Sequence, residues 1–153
     1  MIRCNMITEI AQMIESVSAT LGKPLKYGEH FQIKDLGCPH KWPKKLESGY
    51  AKVYIFMLGN EFIKIGKANN GSGARATSQH YRFNAPSTVA KSLCADKTMP
   101  VYGKDQETIK LWMLENLRRI DVEIKTESNT WATSLIEGIL HYKFTPRYEG
   151  HGQ

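Results

Sequence analysis

Four residues of this chain, Tyr54, Lys64, Arg75 and Glu137, follow one another in an order and spacing that suit hydrolysis of a phosphodiester. That reaction needs an activated water, a clamp for the phosphate charge and help for the departing alkoxide. Tyr54 is the candidate base, although a free phenol with a pKa of ~10 is mostly protonated at neutral pH. Lys64, ten residues on, offers a remedy, because a nearby ammonium favours phenolate and also hydrogen-bonds a water. Arg75 follows Lys64 by 11 residues and brings a planar fork of donors that lysine cannot reproduce. His80 and Tyr81 come next and are candidates to hydrogen-bond Tyr54 or the water. His80 ranks first because imidazole titrates near neutrality. Taken singly, each of these is more often an ordinary strand or helix residue; the joint order gives them weight.

The elements that must position them are legible in outline. Val53-Tyr54-Ile55-Phe56 and Phe62-Ile63-Lys64-Ile65-Gly66 are β-rich runs joined by Leu58-Gly59-Asn60, a link of the hairpin type. Whether Tyr54 and Lys64 share a face depends on the turn and on any bulge, so the spacing permits their convergence without proving it. Asn69 to Gly73 reads as a flexible loop, followed by a helix carrying Arg75 through Tyr81, and Pro86-Ser87 opens another helical stretch. Asp105 caps a helix whose stripe is Ile109, Trp112, Met113, Leu117 and Ile120. Val122 and Ile124 alternate with charges as an antiparallel strand would. The last helix, 130–143, sets Trp131, Leu135, Ile136, Ile139, Leu140 and Tyr142 on one broad side, with Glu137 opposite and His141 one turn later. Trp112 and Trp131 read as core. Upstream, Ile7, Ile10, Ile14, Val17 and Leu21 mark an amphipathic helix ended by Gly22 and Pro24. Residues 22–49 read as an irregular lysine-rich arm with one short strand near Phe31–Leu36. The fold class is α+β, a small antiparallel sheet of about three strands flanked by helices, in a single domain over 1–153. Its N-terminal helix and arm occupy 1–49 and its core 50–150.

At 153 residues the chain suits one domain with a real core, and 41% hydrophobic with 24% charged residues fits a soluble globular protein. The 21 Lys+Arg against 15 Asp+Glu, a net +6, favour a polyanionic partner. The excess concentrates in 23–67, with nine lysines against four acidic residues. Lys41, Lys44, Lys45, Lys67 and Arg82 are the candidate DNA contacts, with Trp42 among them as an aromatic that could touch nucleic acid. Three scattered cysteines form no disulfide framework, and no apolar run approaches a membrane span, so a cytoplasmic setting with no membrane partner is expected.

Together the hairpin, the arginine after it and the late glutamate resemble the GIY-YIG nuclease superfamily, over roughly residues 50–150. Lys52-Val53-Tyr54 stands for the family's first tripeptide and Lys64-Ile65-Gly66 for its second, with Arg75 where its arginine is expected. Glu137 precedes by 12 residues Glu149, which lies in the tail Pro146-Arg147-Tyr148-Glu149-Gly150. Two departures stand out. Lys64 replaces a tyrosine, as in a branch of restriction endonucleases of the superfamily, and Glu149 replaces a tail asparagine, so it either approaches the metal or faces solvent. The resemblance implies a Mg²⁺ (or Mn²⁺) endonuclease acting on DNA by a one-metal scheme, with Glu137 as ligand and Arg75 as phosphate clamp. The lysine variant tilts the expected substrate toward duplex DNA, with affinity that falls steeply with salt. A standalone domain of this size often gains duplex-scale reach as a homodimer, though no residue pattern here specifies one. A non-cleaving nucleic-acid-binding module on the same fold and an RNA-directed nuclease are the alternatives. His30, Cys38 and His40 lack zinc-finger spacing, and Asn70-Gly71-Ser72-Gly73 lacks the Gly-Lys-Ser/Thr ending of a phosphate loop.

Overall fold

The computed structural model describes residues 2–69, 79–84, 88–127 and 131–148. In chain order the elements are α1 (Ile2–Thr20), β1 (Phe31–Gly37), β2 (Tyr50–Leu58), β3 (Glu61–Ala68), a single 3₁₀ turn (Gln79–Tyr81), α2 (Val89–Ala95), α3 (Gln106–Asn116), β4 (Arg118–Lys125) and α4 (Ala132–Phe144). The class is α+β, with four antiparallel strands in the order β1-β4-β2-β3 rather than about three. The short strand expected near Phe31–Leu36 is β1, and it joins the sheet rather than standing apart in the basic arm. It pairs with β4 through Phe31 opposite Ile124 and Ile33 opposite Val122.

Helices cover both faces of the sheet, which is why β2 is buried along almost its whole length. On one face Val53, Ile55, Ile65, Ile120, Val122 and Ile124 meet Ile10 and Ile14 of α1 and Ala132, Ile136 and Leu140 of α4. On the other, Tyr54, Phe56 and Ile63 meet Val89 and Leu93 of α2 and Ile109 and Met113 of α3. The helix ends are set by side chains. Ser18 Oγ bonds the Ile14 carbonyl (2.7 Å) and accepts from Leu25 N–H (2.9 Å), drawing the chain back after α1. Thr88 and Asp105 cap α2 and α3 by accepting from Lys91 N–H and Thr108 N–H. The stripe expected on the last helix is narrower than its sequence suggests. Ala132, Thr133, Ile136 and Leu140 are the buried set, whereas Trp131 is 74% and Tyr142 93% exposed, so Trp131 is not core.

The hairpin settles the question of facing. Its turn is Gly59-Asn60, with Gly59 at φ 58°, and a regular ladder from Leu58–Glu61 and Met57–Phe62 would set Lys64 opposite Ile55, on the face away from Tyr54. Instead a bulge at Ile63 shifts the register, so that Phe56 faces Lys64, Ile55 faces Ile65 and Tyr54 faces Gly66. One extra residue therefore carries Lys64 onto the face of Tyr54.

The tail closes on that bulge. Arg147 N–H donates to the Phe62 carbonyl (2.9 Å) and Tyr148 N–H to the Ile63 carbonyl (2.8 Å), so consecutive carbonyls are used where regular pleating would turn one away. The Arg147 guanidinium reaches Glu61 and Asp96 (both 2.9 Å), and Tyr148 Oη donates to Asp96 (2.6 Å). The Tyr148 hydroxyl above all, then Thr98 and Arg147, holds the Asp96 carboxyl well below the usual carboxylate range. A depressed carboxylate stabilises the fold fully above its unfolded pKa of about 4 and loses that contribution as pH falls below it. Asp96→Asn is thus expected to speed amide exchange at Arg147 and Tyr148 about tenfold or more near neutrality. In the parent, protection at these two amides, taken relative to intrinsic exchange at each pH, should fall as pH drops from 5 to 3. Unchanged protection in the variant would show that the tail is held by its backbone bonds alone.

Candidate active site

Tyr54, Gly66, Phe56, Lys64, Arg119, Asp121, Lys52 and Glu123 share one face of the sheet by direct cross-strand pairing. Tyr54 is buried, and the hydroxyl end of its ring packs against Gly66. A Cβ at that glycine would stand 2.6 Å from Tyr54 Cζ and 2.8 Å from Cε2, so only a residue without a side chain accommodates the ring. The last residue of the second tripeptide is therefore the seat of the tyrosine in the first.

The 3₁₀ turn brings His80 onto the phenol. Tyr54 Oη and His80 Nε2 are hydrogen-bonded, and the two rings are 4.6 Å apart. Val89 N–H donates to His80 Nδ1 at 3.3 Å. Because Nδ1 accepts there, the proton of the neutral imidazole sits on Nε2 and points at the phenolic oxygen. Tyr81, the neighbouring residue, turns to other partners. Its hydroxyl bonds His40 Nε2 (2.7 Å) and receives Arg119 Nη1 (3.3 Å), while His40 Nδ1 donates to the Leu117 carbonyl (2.6 Å). Burial pushes Tyr81 up to about 12, with Arg119 acting against it, so this phenol stays protonated and donates to His40. Burial likewise lowers His40, partly offset by its bond to Leu117 and reinforced by Arg119, leaving the ring neutral.

From Tyr81 the polar chain continues across the sheet. Arg119 Nε donates to Asp121 (2.8 Å), Lys52 Nζ stands 3.1 Å from the other Asp121 oxygen and 3.8 Å from Glu123, and Lys34 closes on Glu123 at 2.8 Å. Arg119, Asp121 and Lys52 are all buried, and the Arg119 guanidinium lies 5.5 Å from the Tyr54 ring and 5.2 Å from that of Phe56. Burial opposes the Arg119 charge, yet Asp121 and Tyr81 raise its pKa and keep it protonated. Sequence reasoning missed Arg119 and Asp121. Their signal was the charge alternation along β4, which reads as a solvent face and in fact lies beneath the second helical layer.

Other candidates are placed as follows. Lys64 is buried on the Tyr54 face. Glu137 is partly exposed on α4, at the edge of the buried set rather than opposite it, and one of its oxygens stands 4.0 Å from Lys67 Nζ. Lys67 also donates to Ser134 Oγ (2.8 Å), so it is engaged with α4, and His141 Nε2 bonds the Ile65 carbonyl at 2.7 Å. The α4 helix packs against the sheet face opposite Tyr54, so Glu137 comes toward the hairpin across the β3 side. Lys41, Lys44, Lys45 and Arg82 are exposed. Trp42 among them packs on Tyr81 (5.0 Å between centroids), with the Lys110 ammonium 5.8 Å over its ring, so it anchors the basic coil. Arg75, Glu149 and most of the helix expected through Arg75 lie outside the described residues; its end, 79–81, is the 3₁₀ turn.

Among the described residues no three His, Cys, Asp or Glu side chains converge as a metal cage. A single partly exposed carboxylate still fits Mg²⁺, which keeps several waters and takes one or two carboxylates plus substrate phosphate oxygens. Among the described residues no helix is long and apolar enough to cross a membrane. No family model, curated protein or solved structure matches this chain.

Proposed function

We propose that this chain is a metal-dependent endonuclease of GIY-YIG type that hydrolyses DNA phosphodiesters. The observation that carries the reading is the hydrogen bond between Tyr54 and His80, with Lys64 brought onto the same face by the Ile63 bulge. In this scheme Tyr54 removes the proton of the attacking water. His80 Nε2–H stabilises the phenolate oxygen, and the Lys64 ammonium favours the same charge. Glu137 is the residue that would hold a Mg²⁺ ion, whose chemistry there would be to neutralise charge developing on the phosphate oxygens. Arg75 is assigned the phosphate clamp on its sequence position alone.

The exposed lysines at 41, 44 and 45 and Arg82 supply the phosphate-tracking surface. His40 and Trp42 tie that coil to Tyr81, the residue next to His80, which fixes the basic surface relative to the proposed base.

The reading is tested with supercoiled plasmid in Mg²⁺ or EDTA. The parent protein is expected to nick in Mg²⁺ only, and Glu137→Ala to lower the rate by at least about a hundredfold. Equal DNA binding with no nicking under any condition would leave a binding module and overturn the enzyme. The same assay with RNA identifies an RNA-directed nuclease.

A further inference from the structure

The Lys52–Asp121–Arg119 array lies beside Tyr54 and has no part in the scheme above. Burying three charged groups costs on the order of several kcal/mol per ion, and well-packed apolar residues at such positions are often as stable. The array also leaves a surplus of charge. Two cations share the Asp121 carboxylate, and with Glu123 and Lys34 the chain holds three cations against two carboxylates.

Its register is specific to the phenol. Asp121 is the cross-strand partner of Tyr54, Arg119 that of Phe56 and Lys52 that of Glu123, so the charges flank the ring on the strand next to it and on its own. The Arg119 guanidinium lies near the ring faces of both Tyr54 and Phe56. A cation over a phenol is attracted to the ring and more strongly to its anion.

We propose that Lys52 and Arg119, bridged by Asp121, form a positioning array that seats the Tyr54 ring and favours its deprotonated form. This rests on the reading of Tyr54 as the base. Among the described residues, the other groups facing Tyr54 are Lys64 from β3, His80 and Tyr81 from the 3₁₀ turn, and Glu123 from β4. Lys34 of β1 and His40 of the basic coil complete that set, and α2 and α3 present Val89, Leu93, Ile109 and Met113.

The experiment follows the Tyr54 ring in the full chain labelled with [¹³Cζ]tyrosine, its resonance assigned by loss in Tyr54→Phe. Arg119→Met is expected to raise the Tyr54 titration midpoint by about one pH unit and Lys52→Met by about half a unit. Asp121→Asn, which unmasks the cations, is expected to lower it by about half a unit. Lys52→Met leaves the Arg119–Asp121 pair intact and is the variant that tolerates the change most readily. A purely structural array would alter melting temperature without these opposite displacements. A folded Lys52→Met or Arg119→Met protein whose midpoint stays within about 0.2 unit of the parent overturns the proposal. The resonance reports with or without cleavage, so failure of the nuclease reading and failure of the array are separate results.

Discussion

Tyr54→Phe is expected to leave the fold intact and to lower Mg²⁺-dependent nicking by at least about a hundredfold, within the range of lost general-base catalysis. The substitution removes one oxygen. The ring that lies over Gly66, edge-to-face with Phe56 at 6.0 Å and beneath Arg119, is retained. What is lost is the acceptor of His80 Nε2–H, and a buried donor left without its partner costs about 1–3 kcal/mol. For a chain of this length that corresponds to a fall in melting temperature of roughly 2–4 °C per kcal/mol. Nicking and thermal melting therefore separate the two roles of the residue. Nicking within about threefold of the parent, at a melting temperature a few degrees lower, would make Tyr54 a packing residue and remove the base from the scheme.

Gly66→Ala should act on the same pair from beneath. The added Cβ meets the Tyr54 ring well inside contact distance, and the ring has no free path, being buried between Phe56, His80 and Arg119. Overpacking of this kind costs about 1–3 kcal/mol, and here it also lifts the hydroxyl off His80. Stability and nicking are expected to fall together, unlike in Tyr54→Phe. The mechanism is checked by a double-mutant cycle in denaturant: on a Tyr54→Ala background the alanine at 66 should cost less than about 0.5 kcal/mol, because nothing remains to clash. Equal costs on both backgrounds would place the damage in the β3 backbone.

These two residues show what a sequence can and cannot convey about a site. The hairpin is legible because Gly59-Asn60 separates two apolar runs, and α3 because Asp105 stands one residue before the helix and four before its stripe begins at Ile109. The Tyr54–His80 contact was anticipated as one of two options. Tyr81, the other, is equally committed, but to His40 and Arg119. The facing of Lys64 was open, since a bulge of one residue is set by the tail and by long-range register rather than by local composition. The role of Gly66 was hidden for the same reason, as its partner lies on another strand. Charges at 119, 121 and 123 look like a wet face until Lys52 is placed beside them, and that depends on which strand β4 joins. The outer positions of α4 misled in the opposite sense. Trp131 and Tyr142 extend an apolar pattern beyond the width that the sheet covers.

The position of β4 carries a consequence for how the molecule assembles. The β2–β3 ladder joins segments adjacent in the chain, whereas β1, among the described strands, is laddered only to β4, which lies between β1 and β2. Because the loops leading to β4 must close before any ladder rewards them, its insertion is the step that contact order would expect to be slow. Until it occurs, Lys52 and the β4 charges remain hydrated and Tyr54 lacks its Arg119 neighbour. The charge array requires the same β2–β4 pairing that completes the sheet. A chain arrested with only its hairpin made would already hold the two tripeptides, yet would have no dry environment in which their chemistry differs from that of free side chains in water.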